Sequence, residues 1–114
     1  MSKNTDRARR IAELNDQFRK QPTRHGKSYT TDGVASLGFD FVLRAMTAVA
    51  AFDTFTADND PYGEHDFAAF ELDGEKLFFK IDYYSSDDPD LGAENPSDQA
   101  STERVLTIML ASEY

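Results

Sequence analysis

Asp73-Gly74 sits between two apolar runs, Phe67–Leu72 and Glu75–Tyr84, and constrains this chain more than any other dipeptide in it. A two-residue reversal needs positive φ at both central positions, which Asp and Gly tolerate, so the pair predicts a tight antiparallel hairpin. The turn sets the register. Leu72 faces Glu75, Glu71 faces Lys76, Phe70 faces Leu77, Ala69 faces Phe78, Ala68 faces Phe79 and Phe67 faces Lys80; beyond these, Asp66 faces Ile81 and His65 faces Asp82. Alternation along the strands then gathers Ala68, Phe70, Leu72, Leu77, Phe79, Ile81 and Tyr83 on one side, the expected core. The other side carries His65, Phe67, Glu71, Lys76, Phe78, Lys80, Asp82 and Tyr84, and the hairpin alone does not explain its aromatics.

The remaining elements are placed around that hairpin. Phe39–Phe52 reads as a central helix, with Phe41, Ala45, Ala48, Val49 and Phe52 on one face and Arg44 and Thr47 on its exposed strip. An N-terminal amphipathic helix capped by Asn4 or Thr5 runs to Gln21 on the narrow stripe Ile11, Leu14, Phe18, with Arg7, Arg9, Arg10, Arg19 and Lys20 filling its solvated surface. A basic arm able to detach is the alternative. Pro22 and Gly26 break the chain around His25, and Lys27–Leu37 is expected to be a strand with Gly33 as a bulge or turn. Phe55 is an inward anchor in the loop before the hairpin. Near the C-terminus, Val105, Ile108, Met109 and Ser112 share a helical face, so a helix from Ser97 or Asp98 to Ser112 is expected, with a buried strand as the alternative. The fold class that follows is α+β: a small antiparallel sheet of about three strands with a central hairpin, packed against two helices, plus the N-terminal helix. Residues 1–114 are read as one domain, frayed over 1–6 and flexible in the acidic loop 85–97.

Charge is unevenly placed along the chain. Met1–Lys27 holds eight Lys/Arg against three Asp/Glu, giving +5, whereas Ser28–Tyr114 holds four against eighteen, giving −14, for a net charge of −9. A body so acidic repels nucleic acid and anionic membranes, so direct binding to either is not expected, and a partner with a basic surface is. Cysteine is absent, which removes disulfides and thiolate chemistry. With no apolar run of about 18 residues and no signal-like N-terminus, the chain is expected in the cytoplasm.

Asp58, Asp60, Glu64, His65 and Asp66 crowd into nine residues, and the hairpin register puts Asp82 opposite His65. Carboxylates with an imidazole can hold a metal or act as a general acid–base pair, so Asp60, Glu64, His65 and Asp82 form a candidate metal-assisted hydrolytic set. The EF-hand spacing fails because Ala69 stands where its last ligand belongs, and no nucleophile elbow or phosphate-cradling glycine loop is present. A plainer reading has the Asp and Asn side chains bonding their own backbone around Pro61, with a His65–Asp82 hydrogen bond pinning the open end of the hairpin. No catalytic residue and no cofactor is assigned on these grounds. As a partner-binding surface, the candidates are Asp58, Asp60, Tyr62, Glu64, His65, Asp82, Tyr84, Asp87, Asp88 and Asp90.

Asn59–Phe67, Lys80–Tyr84 and Arg104–Ala111, together with Leu14–Arg19 and Phe52–Thr56, resemble the hallmark segments of a small bacterial family of unknown function. The likeness runs over nearly the whole chain and departs from the family pattern at Phe79, where tryptophan is associated with the hairpin. The resemblance implies no reaction and no catalytic residues. It implies a genetic setting like that of accessory genes on plasmids and prophages, where small acidic proteins inhibit host defence nucleases or transcription. The expected function is therefore a non-enzymatic acidic interaction module, an inhibitor of the anti-defence or anti-CRISPR kind that competes with nucleic acid for a basic partner surface. A metal-assisted hydrolase and a structural subunit of a homodimer are the alternatives.

Overall fold

The computed structural model describes residues 3–22 and 26–114; Met1, Ser2 and Thr23–His25, and with them the expected fraying at the first two residues and the breaker around His25, lie outside it. In chain order the elements are helix α1 (Lys3–Lys20), strand β1 (Gly26–Thr30), a one-turn helix α2 (Asp32–Ala35), helix α3 (Phe39–Ala51), and strands β2 (Phe67–Leu72), β3 (Glu75–Ser85) and β4 (Thr102–Leu110). Short 3-10 turns at Gln99–Ser101 and Ala111–Glu113 flank β4. The four strands form one mixed sheet in the order β1-β4-β3-β2, with β1 parallel to β4 and the other pairs antiparallel. This is an α+β fold with an N-terminal helix.

The hairpin has the expected register from Phe67↔Lys80 to Leu72↔Glu75, and Asp73 and Gly74 take φ of 53° and 79° at its turn. Arg44 of α3 clamps that turn by donating from Nη1 and Nη2 to the Asp73 carboxylate at 2.9 and 2.6 Å, and from Nε to Asp40 at 2.9 Å. The predicted core side of the hairpin is the core: Ala68, Leu77, Phe79 and Ile81 are buried, and Phe70, Leu72 and Tyr83 pack beside them. Phe41, Ala45 and Val49 of α3 and Phe18 of α1 cover this side. Alternation at period two on the strands meets period 3.6 on the helices, and apolar surface leaves water at about 25 cal/mol per Å².

Three expectations are corrected. The C-terminal segment is a strand, β4, and not a helix. It lies inside the sheet between β1 and β3, so the hairpin is at one side of the sheet rather than at its centre. Thr102, Arg104, Leu106 and Ile108 point to the core at period two, and hydrogen bonds on both sides of β4 decide the issue. The second correction is the strand expected over Lys27–Leu37: it ends at Thr30, and Asp32-Gly33 opens α2. Thirdly, α1 begins at Lys3 rather than after a cap at Asn4 or Thr5, and the alternative of a detachable arm fails: Ile11, Leu14, Asn15, Phe18 and Arg19 along it are all buried.

Residues 85–97 carry tethers that their acidic composition does not announce. Tyr84 bridges Gly92, Ala93 N–H donates to Tyr83 O at 3.2 Å, and Ser85 N–H donates to Leu91 O at 2.8 Å. Where β1 enters the sheet, a side chain on Gly26 would run into the Arg104 carbonyl and come within 2.8 Å of the Phe18 ring. Backbone cannot step aside, so Gly26→Ala is expected to cost about 3 kcal/mol, read as a lower urea midpoint at unchanged m.

Candidate functional site

The dense chemistry lies between α1 and the segment leading into β2. Asp60 is 7% exposed and acts as the hub of a turn: its Oδ1 accepts from Glu64 N–H at 3.2 Å and its Oδ2 from His65 N–H at 3.1 Å. This is the self-bonded turn expected around Pro61. His65 itself adopts φ 58°, which takes it off the β ladder. The expected His65–Asp82 pairing therefore does not form, and the hairpin's open end is closed by Ile81 N–H donating to Asp66 O at 2.8 Å. The imidazole instead stacks flat on Phe55, centroids 4.0 Å apart and planes 4° apart, with Nδ1 3.0 Å from Asp16 on α1. Asp16 in turn pairs with Arg19.

Arg19 and Arg104 are two buried arginines that hydropathy leaves on the surface. Arg19 donates to the Val49 and Phe52 carbonyls at 2.6 and 2.9 Å and lies over the Phe55 and Phe79 rings at 5.3 and 5.4 Å. It thereby ties up the C-terminal carbonyls of α3, where a cation also complements the helix dipole. Arg104, fully buried on β4, donates from Nε to Asn15 Oδ1 at 2.7 Å and from Nη2 to Pro96 O. Asn15 Nδ2 donates to Glu64 O and to the Tyr83 hydroxyl, both at 2.9 Å, and that hydroxyl donates to Glu64 Oε1 at 2.9 Å. Burial holds the Arg104 pKa below its usual value and pushes the Tyr83 phenol well above its own. One buried network thus joins α1, the Asp60 turn, β3 and β4.

Asp66 is the carboxylate whose titration is displaced into an accessible range. Burial first, then the charge of Glu64, raises its pKa to about 6 from 3.8. The folded protein therefore holds this proton more tightly than the unfolded chain. Asp66 costs the fold nothing below pH 4, and as the pH rises from about 4 to 6 an increasing penalty sets in that persists at neutral pH. Two units correspond to at most about 3 kcal/mol, and solvent screening of a partly buried group leaves roughly 1–2 kcal/mol. Asp66→Asn is expected to gain that much stability at pH 8 and nothing at pH 4, measured as the difference between urea midpoints of variant and parent.

Of the candidate set, Asp60 Oδ2 and His65 Nε2 approach to 3.8 Å, but the four do not converge on one point. Glu64 goes to Tyr83, His65 to Asp16, Asp60 to backbone amides and Asp82 to Lys80 at 3.0 Å. The set Asp60, Glu64, His65, Asp82 proposed for a metal is therefore not assembled as a ligand shell, and among the described residues no group of three or more His, Cys, Asp or Glu could hold an ion. Asp58, Asp87 and Asp90 are exposed, Asp88 and Tyr84 are half-buried, and Tyr62 stands out at 80% exposed, lining with Arg9, Glu13, Asp16, Asp60 and His65 an open groove of about 640 Å³. Asn15, Asp16, Arg19 and Arg104 were missed from the sequence. Spacing offered one signal: Asn15 and Arg19 lie four apart on the Ile11–Phe18 side of α1. Tyr114 was missed as well. Its ring meets Phe67 and Phe78 edge-on at 5.4 and 5.3 Å, which accounts for two of the outer-face aromatics.

Fold and site together define a small α+β protein with a helix-covered four-stranded mixed sheet, whose acid-rich hallmark turn is a polar latch. Residues 30–113 match the family described as "Protein of unknown function (DUF3768)", and the chain belongs to that family. No curated protein and no solved structure matches it. No helix among the described residues is long and apolar enough to cross a membrane.

Proposed function

We propose that the protein is a non-enzymatic interaction module whose acidic end occupies a basic surface on a nucleic-acid-handling partner and competes there with nucleic acid. The observation that carries this reading is where the carboxylates collect. Strand directions bring the Asp53–Asp66 and Asp82–Glu103 segments to the same end of the sheet, where β3 leaves and β2 and β4 begin. Those two segments hold twelve Asp/Glu and no Lys or Arg. Asp58, Asp87 and Asp90 are exposed there. Tyr62, in the first of those segments and 80% exposed, is the kind of aromatic that anchors interfaces. An inhibitor carried by a mobile element fits this chemistry, since a field of fixed carboxylates presents a basic groove with the charge of a phosphate backbone.

The test uses the full chain as bait in bacterial lysate beside the variant Asp87→Lys/Asp88→Lys/Asp90→Lys. Capture of a basic nucleic-acid-binding protein, released by salt, displaced by duplex DNA and lost in the variant, is the expected result. Salt-insensitive capture, or capture that the variant retains, contradicts it. The homodimer reading rests on a separate observation, that β1 and β2 each pair on one side only within the sheet. Light scattering at twice the monomer mass would favour it.

A further inference from the structure

β2 forms one border of the sheet, with β3 on one side of it and, among the described residues, no strand on the other. Hydrogen-bonded pairs alternate along an antiparallel ladder. Ile81 N–H donates to Asp66 O at 2.8 Å, and Leu72 faces Glu75 across the tight turn, so Asp66, Ala68, Phe70 and Leu72 spend their backbone groups on β3. Phe67, Ala69 and Glu71 therefore turn their N–H and C=O groups away from the sheet. Ala69 and Glu71 are exposed, and Phe70 and Leu72, which pack at the margin of the core, are only half-buried. Natural sheets blunt such a border with lysine, proline or a bulge. β1 has Lys27 at the other border, but β2, Phe-Ala-Ala-Phe-Glu-Leu, has none of these: its register with β3 is unbroken, and its one charge, Glu71, faces Lys76 within the hairpin.

We infer that β2 is the interface at which a second copy of this chain adds, antiparallel and about a two-fold axis through Ala69, to make one continuous sheet across both copies. The inference rests on the homodimer reading above and names its surface. In that register Ala69 faces Ala69 of the second copy and Phe67 faces Glu71 of the second copy, so every outward N–H and C=O group of β2 finds a partner and the two Glu71 carboxylates stay apart. On the inner side, Phe70 meets Ala68 of the second copy, which covers apolar surface that one copy leaves half in water. Charge favours the same arrangement. β2 runs from the acidic end towards the hairpin turn, so antiparallel pairing sends the two acidic ends in opposite directions. The two Asp66 residues are then roughly 20 Å apart, about two Debye lengths at physiological salt. The paired border is short, so the dimer is expected to be weak, with Kd on the order of 10 µM.

Sedimentation of the full chain from about 1 to 300 µM tests this. A reversible rise from the monomer mass to twice that mass is expected, unchanged by Asp87→Lys/Asp88→Lys/Asp90→Lys. Ala69→Lys, with its circular dichroism unaltered, should weaken the dimer tenfold or more. A second variant frees the answer from that lysine. The chain has no cysteine, and the Cα atoms of a hydrogen-bonded antiparallel pair are about 5.5 Å apart, within disulfide reach. Ala69→Cys is therefore expected to form a covalent dimer with oxidised glutathione, whereas Glu71→Cys, about 13 Å from its counterpart in this register, is not. A chain that stays monomeric at every concentration overturns both the inference and the homodimer reading. A dimer that Ala69→Lys leaves intact and Ala69→Cys does not cross-link, or one that Glu71→Cys links as readily, overturns the inference alone and moves the contact to another surface.

Discussion

Asn15→Leu is expected to cost about 3–5 kcal/mol, a large share of the roughly 5–15 kcal/mol that holds an ordinary domain folded. The side chain has no solvent exposure and holds three groups at once: the Arg104 guanidinium, the Glu64 carbonyl and the Tyr83 hydroxyl. Leucine has similar bulk, so hardly any cavity is created, and the loss falls on polar groups left without partners. The costliest is Arg104, a fully buried cation that would keep Pro96 O as its hydrogen-bonding acceptor after losing the Asn15 oxygen. Arg104→Met removes the charge itself. The double variant Asn15→Leu/Arg104→Met should therefore be less destabilised than the sum of the two single variants, by 1 kcal/mol or more. Urea melts of the four proteins give the coupling directly, and additive losses would mean that the network is not a unit.

Phe79→Ala is the second large effect, about 3–5 kcal/mol. Phe79 is fully buried at the centre of the sheet's inner side, with the Phe52 and Phe55 rings edge-on at 5.7 and 6.4 Å and the Arg19 guanidinium over its face. Truncation opens a ring-sized void and strips one of the two aromatic faces that shelter Arg19. Phe79→Leu should recover more than half of the loss. A midpoint for the alanine variant within 1 kcal/mol of the parent would mean that the core relaxes into the space.

The elements legible in the sequence are those set by neighbours in the chain. Asp73-Gly74 dictates a local reversal, and six cross-strand pairs of the hairpin follow by counting. The apolar face of α3 is legible because Phe41, Ala45 and Val49 repeat on their own helix. β4 was not legible, since Val105, Ile108 and Met109 suit a helix as well as a strand, and the choice is made by β1 and β3, which pair with it from far away in sequence. Arg104 made matters worse: a buried arginine breaks the apolar alternation that would have revealed the strand.

The site shows the same division. That Asp60 would bond its own turn was readable from Asp-Pro-Tyr-Gly, because an Asx turn is a local device. The partner of His65 was not readable, because its positive φ turns the ring off the strand to Asp16, 49 residues earlier. A helix expected to pack by the apolar stripe Ile11, Leu14, Phe18 and to leave its charges in solvent also supplies the three side chains, Asn15, Asp16 and Arg19, that hold the hallmark turn and α3 in place.

The most direct measurement is a three-way competition: the captured partner, a fluorescent DNA duplex, and either the parent chain or its Asp87→Lys/Asp88→Lys/Asp90→Lys variant, followed by anisotropy from 50 to 500 mM salt. The account predicts that the parent releases the duplex, less effectively as salt rises, and that the equally folded variant does not. Duplex that stays bound at every salt concentration, or that both proteins release alike, would contradict it.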